Sequence, residues 1–357
     1  MKKIAFVLLT ICLVISFSLV LSEAVLRLSG RVAVNGLHTA PEEIFYQIPG
    51  IFEPGQDFIY RVKPELPFHI SVNSLGYRGP EIHRKKPQGT IRILCLGDSL
   101  TFGDFVDDNE AFPYQLQELF KQEVGKVEFI NGGAGGSTIV DQFYFLKKSM
   151  AIEPDIVILT FFLNDIPDLN RPVPLYKSFE KNRKFKSSVV FAPVYRLFRD
   201  TALFQLALKA KASYKELFNQ DKGVKGDKNP NLDTPDRDRL LLDKYAELFK
   251  DMKAYLDERS INFLFVLFPS HHQIGARTNS SDMQDYQIEW MERLAQRMDV
   301  PVVNLLEVFK GSHLGKNELY LLPYDGHPNK KAYALTANAI SETLRKDFLG
   351  VVPRSDK

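Results

Sequence analysis

The sequence predicts an α/β fold: a three-layer α/β/α sandwich around a flavodoxin-like parallel sheet, preceded by an N-terminal transmembrane helix. From about residue 90 onward, short runs that are apolar on both faces alternate with longer segments of helical spacing. Such runs are typical of strands covered by helices on both sides, and their alternation with helices is typical of parallel sheets. We expect the strand order 2-1-3-4-5. The five predicted strands are Ile91–Leu96, Val127–Asn131, Asp155–Phe162, Asn262–Phe268 and Pro301–Leu305.

Residues 1–23 form an apolar leader. Two lysines precede an uncharged stretch from Ile4 to Ser22, which would span about 28 Å as a helix and so match a bilayer core. The basic flank predicts a cytoplasmic N-terminus and an extracytoplasmic remainder. Because the run exceeds the roughly 7–15 residues of a signal-peptide core, a retained anchor is favoured over a signal peptide cleaved near Glu23 and secretion of the remainder.

Composition bounds the remaining chain. A length of 357 residues with 45% hydrophobic content suffices for a full core, and a formal net charge of +2 gives no general attraction to nucleic acid. Residues 24–90, rich in proline, aromatics and short β-like runs, predict a strap or hairpin ahead of a main domain at 91–348. One cysteine lies in the leader and the other in a predicted strand, so no disulfide is expected.

An insert at residues 166–235 interrupts the strand and helix alternation. It is too long for an ordinary connection and begins at the carboxyl end of a predicted strand. Its first part is basic, its middle has helical apolar spacing, and its end is polar and rich in Gly, Pro and Asn. A lid over the site is one interpretation; a solvated insert, or a basic face on anionic lipid headgroups, is the alternative.

The segment Gly97-Asp98-Ser99-Leu100-Thr101 directly follows the first predicted strand. Reactive groups collect at the carboxyl ends of parallel strands, because loops there converge on a ligand. Ser99 is therefore a candidate nucleophile. A simple turn is the alternative, since Gly, Asp and Ser are all common turn formers.

A candidate general base stands in Asp325-Gly326-His327, just before the last predicted helix, Asn329–Lys346. The unperturbed pKa of a histidine is near 6.5, so His327 can accept and return a proton near neutral pH. Asp325 could orient its ring and stabilise the imidazolium. A lone histidine before a helix is more often structural; Ser99 is what favours the catalytic interpretation.

Two further loops follow the second and third predicted strands. The glycine-dense segment from Asn131 to Thr138 can bring backbone N–H groups close to a ligand, although it could be only a tight turn. It fits neither the phosphate-binding nor the dinucleotide-binding fingerprint. Asn164, in Phe162-Leu163-Asn164-Asp165, offers a side-chain amide donor, although Asn-Asp after a strand is otherwise an ordinary turn.

These four segments together resemble the SGNH hydrolases, also called the GDSL family, over roughly residues 91–348. The resemblance implies a three-layer sandwich and acyl transfer through a serine. It implies these roles: Ser99 as nucleophile, His327 as base, Asp325 as its orienting group, and an oxyanion hole formed by Ser99, Gly136 (with Gly135 as the alternative) and Asn164.

Two segments depart from the family pattern. The third block lacks the usual glycine before Leu163, although Asn164 is kept. In the last block Asp325 lies two residues before His327 where three is common; this variant occurs in branches that modify exported polysaccharides.

Three further side chains could contact substrate, namely Asp98 and the adjacent His271 and His272 after the fourth predicted strand. No metal site is expected, because adjacent residues of an extended segment point opposite ways and no carboxylate cluster accompanies the histidines. No cofactor is implied.

The leading hypothesis is an extracytoplasmic, membrane-anchored serine esterase acting on acetyl or other short acyl esters, such as those of an envelope carbohydrate. An O-acyltransferase acting on a polysaccharide is the first alternative. A non-catalytic carbohydrate-binding or assembly module is the second. A membrane acyltransferase is a candidate partner, and no nucleic-acid partner is expected.

Overall fold

A five-stranded parallel sheet forms the centre of the fold. The computed structural model describes residues 2–29, 47–121 except 61, 62 and 64, 126–210 except 200, 205, 208 and 209, 234–275 and 279–350. The sheet order is β4-β3-β5-β6-β7, with every neighbouring pair parallel, which confirms the predicted order. The strands are β1 (Asp57–Tyr60), β2 (Phe68–Ser71), β3 (Thr90–Leu96), β4 (Lys126–Asn131), β5 (Ile156–Phe161), β6 (Asn262–Leu267) and β7 (Val302–Asn304).

Helices cover both faces of the sheet. The α-helices of the described residues are, in chain order, α1 (Lys2–Leu28), α2 (Ser99–Phe102), α3 (Phe112–Phe120), α4 (Ile139–Ser149), α5 (Asp165–Asp168), α6 (Leu175–Lys186), α7 (Phe191–Arg199), α8 (Thr234–Asp257), α9 (Asn279–Arg297), α10 (Leu305–Gly311), α11 (Lys316–Leu319) and α12 (Lys330–Thr343); those that cover the sheet follow β3. Residues Leu344–Leu349 continue α12 as a π-helix.

Alternation of side chains along each strand divides the core in two. Leu94 and Leu96 of β3 belong to a core that includes residues of α4, α8 and α9. Ile93 and Cys95 point the other way, into a core that includes residues of α3, α10 and α12. Successive strand residues point to opposite faces, so a strand that is apolar at every position must be covered on both sides. The three-layer sandwich predicted from the sequence is therefore the observed architecture.

The leader is helical, and its side chains are exposed along most of α1. Residues Phe6–Leu28 are long and apolar enough to cross a membrane, a test that a signal sequence also passes. Near the end of α1, the carboxylate of Glu23 accepts backbone N–H bonds from Ala202 and Leu203 at 2.8 and 3.0 Å. The leader thus contacts the segment after α7.

The region predicted as a strap contains an antiparallel hairpin of β1 and β2. Arg78, which follows the hairpin in the same region, is buried. It donates hydrogen bonds to the backbone carbonyls of His69, Phe102, Gly103 and Val106, at 2.6 to 2.8 Å. It also pairs with the carboxylate of Asp108 at 2.6 Å. One guanidinium therefore joins the hairpin to the loop that follows α2.

The first half of the insert packs on α4 and on the strap. Tyr176 of α6 stacks on Tyr144 with ring centroids 4.2 Å apart. Arg183 donates to the carbonyls of Ile48 and Gly50 at 2.9 and 2.8 Å. Most of its polar end, residues 219–235, lies outside the described residues, so the lid remains a prediction.

We expect Arg78→Met to lower the free energy of unfolding by about 3 kcal/mol or more, because it leaves four carbonyls and the Asp108 carboxylate without their buried donor. Arg293→Met is the matched control, since Arg293 is exposed and, within the described part of the chain, pairs only with Glu289 on its own helix. Denaturant unfolding measures both. A loss no larger than that of the control would contradict this account of Arg78.

Candidate active site

Ser99 lies in the turn directly after β3. The carboxylate of Asp98 caps this turn by accepting the N–H of Leu100 at 2.9 Å, so Ser99 is the first residue of α2. Asp98 is 1% exposed. Asp98 thus has a structural role beneath Ser99, and its contact with substrate stays a prediction.

The hydroxyl of Ser99 is 2.8 Å from Nε2 of His327. Nδ1 of His327 is 2.5 Å from Oδ1 of Asp325, which also accepts the backbone N–H of His327 at 2.8 Å. The two-residue spacing thus lets one carboxylate oxygen bind both the ring and the backbone. With the proton on Nδ1, the free Nε2 can accept the proton of Ser99, the arrangement that nucleophilic catalysis by serine requires.

The loop that carries His327 is closed by its own backbone. The N–H of Leu321 donates to the carbonyl of His327 at 3.0 Å, and the N–H of Asp325 donates to the carbonyl of Leu321 at 3.0 Å. The side chain of Asn329 caps α12 by accepting the N–H of Lys331. These bonds fix the loop over the edge of the sheet where β3 ends.

Acidic side chains surround His327. Burial lowers the pKa of His327, but the hydrogen bond with Asp325 and the negative charges of Asp325, Asp104 and Asp98 outweigh it, so its pKa lies above the usual value. Burial raises the pKa of Asp325, but the bonds from His327 and Lys63 reverse this and hold that pKa well below its usual range. Asp325 is therefore ionised at neutral pH.

The glycine loop after β4 lies against the Ser99 turn. A Cβ added to Gly133 would lie 2.2 Å from the backbone nitrogen of Phe102, so only glycine permits this approach. A Cβ on Gly135 would lie 4.0 Å from Cβ of Ser99, whereas one on Gly136 would face the guanidinium of Arg171 at 3.7 Å. Both glycines flank the site, Gly135 on the Ser99 side and Gly136 on the Arg171 side.

Asn164 follows β5, the other neighbour of β3 in the sheet. Its Nδ2 donates to Asp168 at 3.4 Å, and Asp168 pairs with Arg171 at 2.6 Å. Burial raises the pKa of Asp98 to about 6, while the Leu100 N–H, the charge of His327 and the amide of Asn164 oppose that rise. The amide therefore lies close to the Ser99 turn.

A family model provides the identity. The model of the GDSL-like lipase/acylhydrolase family matches residues 95–335, about two thirds of the chain. The chain belongs to this family. The protein is therefore a GDSL-type esterase or acylhydrolase, as the resemblance predicted.

Two solved structures illustrate the proteins to which the GDSL hydrolase is similar at low sequence identity. An acetylxylan esterase from Geobacillus stearothermophilus is 15% identical, with 74% of this chain and 97% of that chain covered and a TM-score of 0.43. A member of the lipolytic protein G-D-S-L family from Veillonella parvula is 13% identical, with 72% and 98% covered and a TM-score of 0.41. No curated protein matches the sequence significantly.

His271 and His272 form a short 3-10 turn after β6 of the GDSL hydrolase. A Cβ on Gly326 would lie 3.0 Å from Nδ1 of His271, so this ring touches the loop that carries His327. The two histidine rings lie 3.9 Å apart. Burial and the neighbouring His272 lower the pKa of His271, which keeps it neutral. No cluster of metal-ligating side chains occurs among the residues that the structure describes.

Three polar side chains at this site of the GDSL hydrolase were not among the site residues predicted from the sequence. Lys63 of the strap donates to the carbonyl of Tyr324 at 3.0 Å and to Oδ2 of Asp325. Asp104 lies 3.3 Å from the Cβ position of Gly135, and Arg171 donates to the carbonyl of Gly136. Each contact joins segments that are far apart in the chain or that lie in a loop without a recognisable pattern.

The rising limb of the pH profile of kcat/KM should have an apparent pKa above the usual 6.5 of histidine, because neutral His327 is the form that accepts a proton. Activity is therefore lost as the pH falls through this raised pKa. Asp325→Asn should move the limb to lower pH, since it removes the carboxylate that favours the imidazolium, and should lower kcat by about 10²- to 10⁴-fold. Initial rates of p-nitrophenyl acetate hydrolysis against pH test this. An unmoved limb in the variant would show that Asp325 does not set the pKa of His327.

We expect Lys63→Met to lower kcat roughly 10-fold with little change in KM, because Asp325 loses the ammonium group that fixes its second oxygen. Lys63→Arg should restore part of the rate. Lys330→Met is the control, an exposed lysine that follows the same loop and pairs with Glu110 at 3.7 Å. Equal kcat values in Lys63→Met and Lys330→Met would rule out a positioning role for Lys63.

Proposed function

We propose that the protein is an extracytoplasmic serine esterase, anchored by α1, that removes acetyl or similarly short acyl groups from hydroxyls of envelope carbohydrate. The observation that supports it most is the connected series of Ser99, His327 and Asp325, with 2.8 and 2.5 Å between the bonded atoms. A non-catalytic module would have no need to keep a serine, an imidazole and a carboxylate in this geometry.

In the proposed mechanism, His327 takes the proton of Ser99 as Oγ attacks the acyl carbonyl. The imidazolium formed is stabilised by Asp325 and then protonates the departing sugar oxygen, which leaves an acyl group on Ser99. Water, deprotonated by the same imidazole, releases the acid and restores the serine.

The negative oxygen of each tetrahedral intermediate needs donors that are in place before reaction. We assign this role to the backbone N–H of Ser99, the backbone N–H of Gly136 and the amide of Asn164. The loops that carry them follow three adjacent strands, β3, β4 and β5, at one edge of the sheet. Each such donor is worth about 10²–10³ in rate in comparable sites.

Polar groups beside Ser99 support a short acyl group and a hydroxylated leaving group. The Asp104 carboxylate is close to Gly135 on the Ser99 side, where a long apolar chain would be unfavourable against it. Arg171, partly exposed next to Gly136, offers donors to sugar hydroxyls, and its partner Asp168 offers acceptors. Export through α1 would bring this site to the envelope.

Ser99→Ala should abolish labelling by a fluorophosphonate and lower p-nitrophenyl acetate turnover by about 10³-fold or more, because Ser99 is the group that forms the acyl-enzyme in the proposed mechanism. Ser74→Ala, an exposed serine of the strap, is the control. The intact enzyme should prefer acetate over octanoate esters and release acetate from acetylated oligosaccharides. Full turnover by Ser99→Ala would overturn the mechanism, and a preference for octanoate would overturn the acyl-group assignment.

A further inference from the structure

Helix α7 of the insert is apolar on two faces. Ala192 and Tyr195 are buried on its inner side, whereas Val194, Leu197 and Phe198 on the other side are all largely exposed, Leu197 to 72%. A surface helix of a soluble domain normally carries polar side chains at such positions. Among the α7 side chains that the structure describes, the exposed ones named here are therefore apolar where water favours polar groups.

Neighbouring residues extend this surface. Val190, which is 86% exposed, lies in the turn directly before α7. We define the apolar face of the insert as the exposed side chains of Phe185, Val189, Val190, Val194, Leu197, Phe198 and Leu206. Exposed apolar side chains concentrated in one segment of the chain mark a site of interaction with a protein or a membrane.

Exposed lysines border the apolar face of the insert. Lys177, Lys181 and Lys184 are exposed on α6, the helix that precedes Phe185 and α7. The single acid of α6, Glu180, is engaged by Lys148 at 3.2 Å and by Arg183 at 3.6 Å. The border is therefore positive, as on amphipathic helices that bind anionic lipid surfaces.

The contact with α1 places the apolar face of the insert near the C-terminal end of the apolar stretch of α1. Glu23 is the first charged residue after the uncharged run of residues 4–22, and its carboxylate binds the N–H groups of Ala202 and Leu203. The N–H of Thr201 donates to the carbonyl of Phe198, so a tight turn separates Phe198 from that contact. If α1 spans a bilayer, the apolar face of the insert lies at its extracytoplasmic boundary.

We propose that the apolar face of the insert is embedded in the interfacial region of the membrane that α1 spans. The partner is the lipid bilayer, with its anionic headgroups against Lys177, Lys181 and Lys184. The hydrolase domain is then held against the bilayer by two adjoining contacts, α1 and α7, instead of by α1 alone. The inference depends on α1 being retained as an anchor and is independent of the reaction catalysed.

The test uses the full-length protein in vesicles of phosphatidylcholine and phosphatidylglycerol, with an environment-sensitive fluorophore attached at Leu197→Cys. Cys12→Ala removes the exposed native thiol, and Cys95 can stay because it is buried and burial raises the pKa of its thiol. Leu119→Cys, an exposed leucine of α3, is the matched control site. Lipids with spin labels high on the acyl chain quench fluorophores in the interface, and iodide quenches those in water.

We expect the probe at Leu197→Cys to be quenched severalfold more by labelled lipid than the probe at Leu119→Cys, and to be protected from iodide. Adding Phe198→Asp should reduce the lipid quenching. Equal iodide access at both sites would overturn the proposal, as would mass spectrometry showing α1 cleaved from the mature protein. Protection only in native membranes, without quenching by labelled lipid, would also overturn it and indicate a protein partner.

Turnover of p-nitrophenyl acetate by the labelled variants reports separately on the fold and the reaction. Lipid quenching at Leu197→Cys in a protein without esterase activity would leave membrane docking standing and refute the proposed function. The converse result, full activity with a water-exposed probe, would refute membrane docking alone.

Discussion

Backbone contact between the Ser99 turn and the glycine loop is the constraint on which the site depends. The carbonyl of Gly97 accepts the N–H of Ala134 at 3.0 Å and the hydroxyl of Ser137 at 2.9 Å. Gly133 packs on the backbone of α2 with no room for a side chain. The loop proposed to stabilise the oxyanion is therefore fixed relative to Ser99 before substrate binds.

Buried acids surround the site, and their electrostatic interactions change the pKa values of one another and of His327. Burial and the charge of Asp98 raise the pKa of Asp165 well above its usual value, so protons bind in the folded state that an unfolded chain would release. The same kind of charge, from Asp325, Asp104 and Asp98, favours the imidazolium of His327. Because the imidazolium forms during acyl transfer, these negative charges assist the step in which His327 becomes charged.

Local patterns were sufficient to predict the strands, and the flavodoxin-like fold that they indicated supplied the strand order. The predicted and observed bounds of β3 to β7 differ by one residue at most at either end, because strands that are apolar on both faces are short and flanked by turn residues. Ser99 and His327 stood out for a similar reason, since each occupies a compact motif next to a predicted element. The burial of Asp98 beneath Ser99, by contrast, depends on packing that no local motif encodes.

Contacts between distant segments could not be predicted. Lys63 and Asp325 are separated by 262 positions and share no pattern in the sequence. The insert was recognised from its length and its basic start, but its docking on the strap through Arg183, and on α1 through Ala202, follows from the tertiary fold alone. The partner of a side chain can be predicted only when the relative positions of the two elements are known.

The strap connects the two loops that carry the nucleophile and the base. The nucleophile and the base come from opposite ends of the hydrolase domain, on loops that share no strand. Arg78 fixes the loop after α2 through its carbonyls, and Lys63 fixes the loop at Asp325. Both residues belong to the segment before β3, so one segment that precedes both halves of the site in the sequence connects them. The same segment receives Arg183 of the insert at Gly50, which joins the proposed membrane-facing surface to the proposed catalytic loops through one structural element.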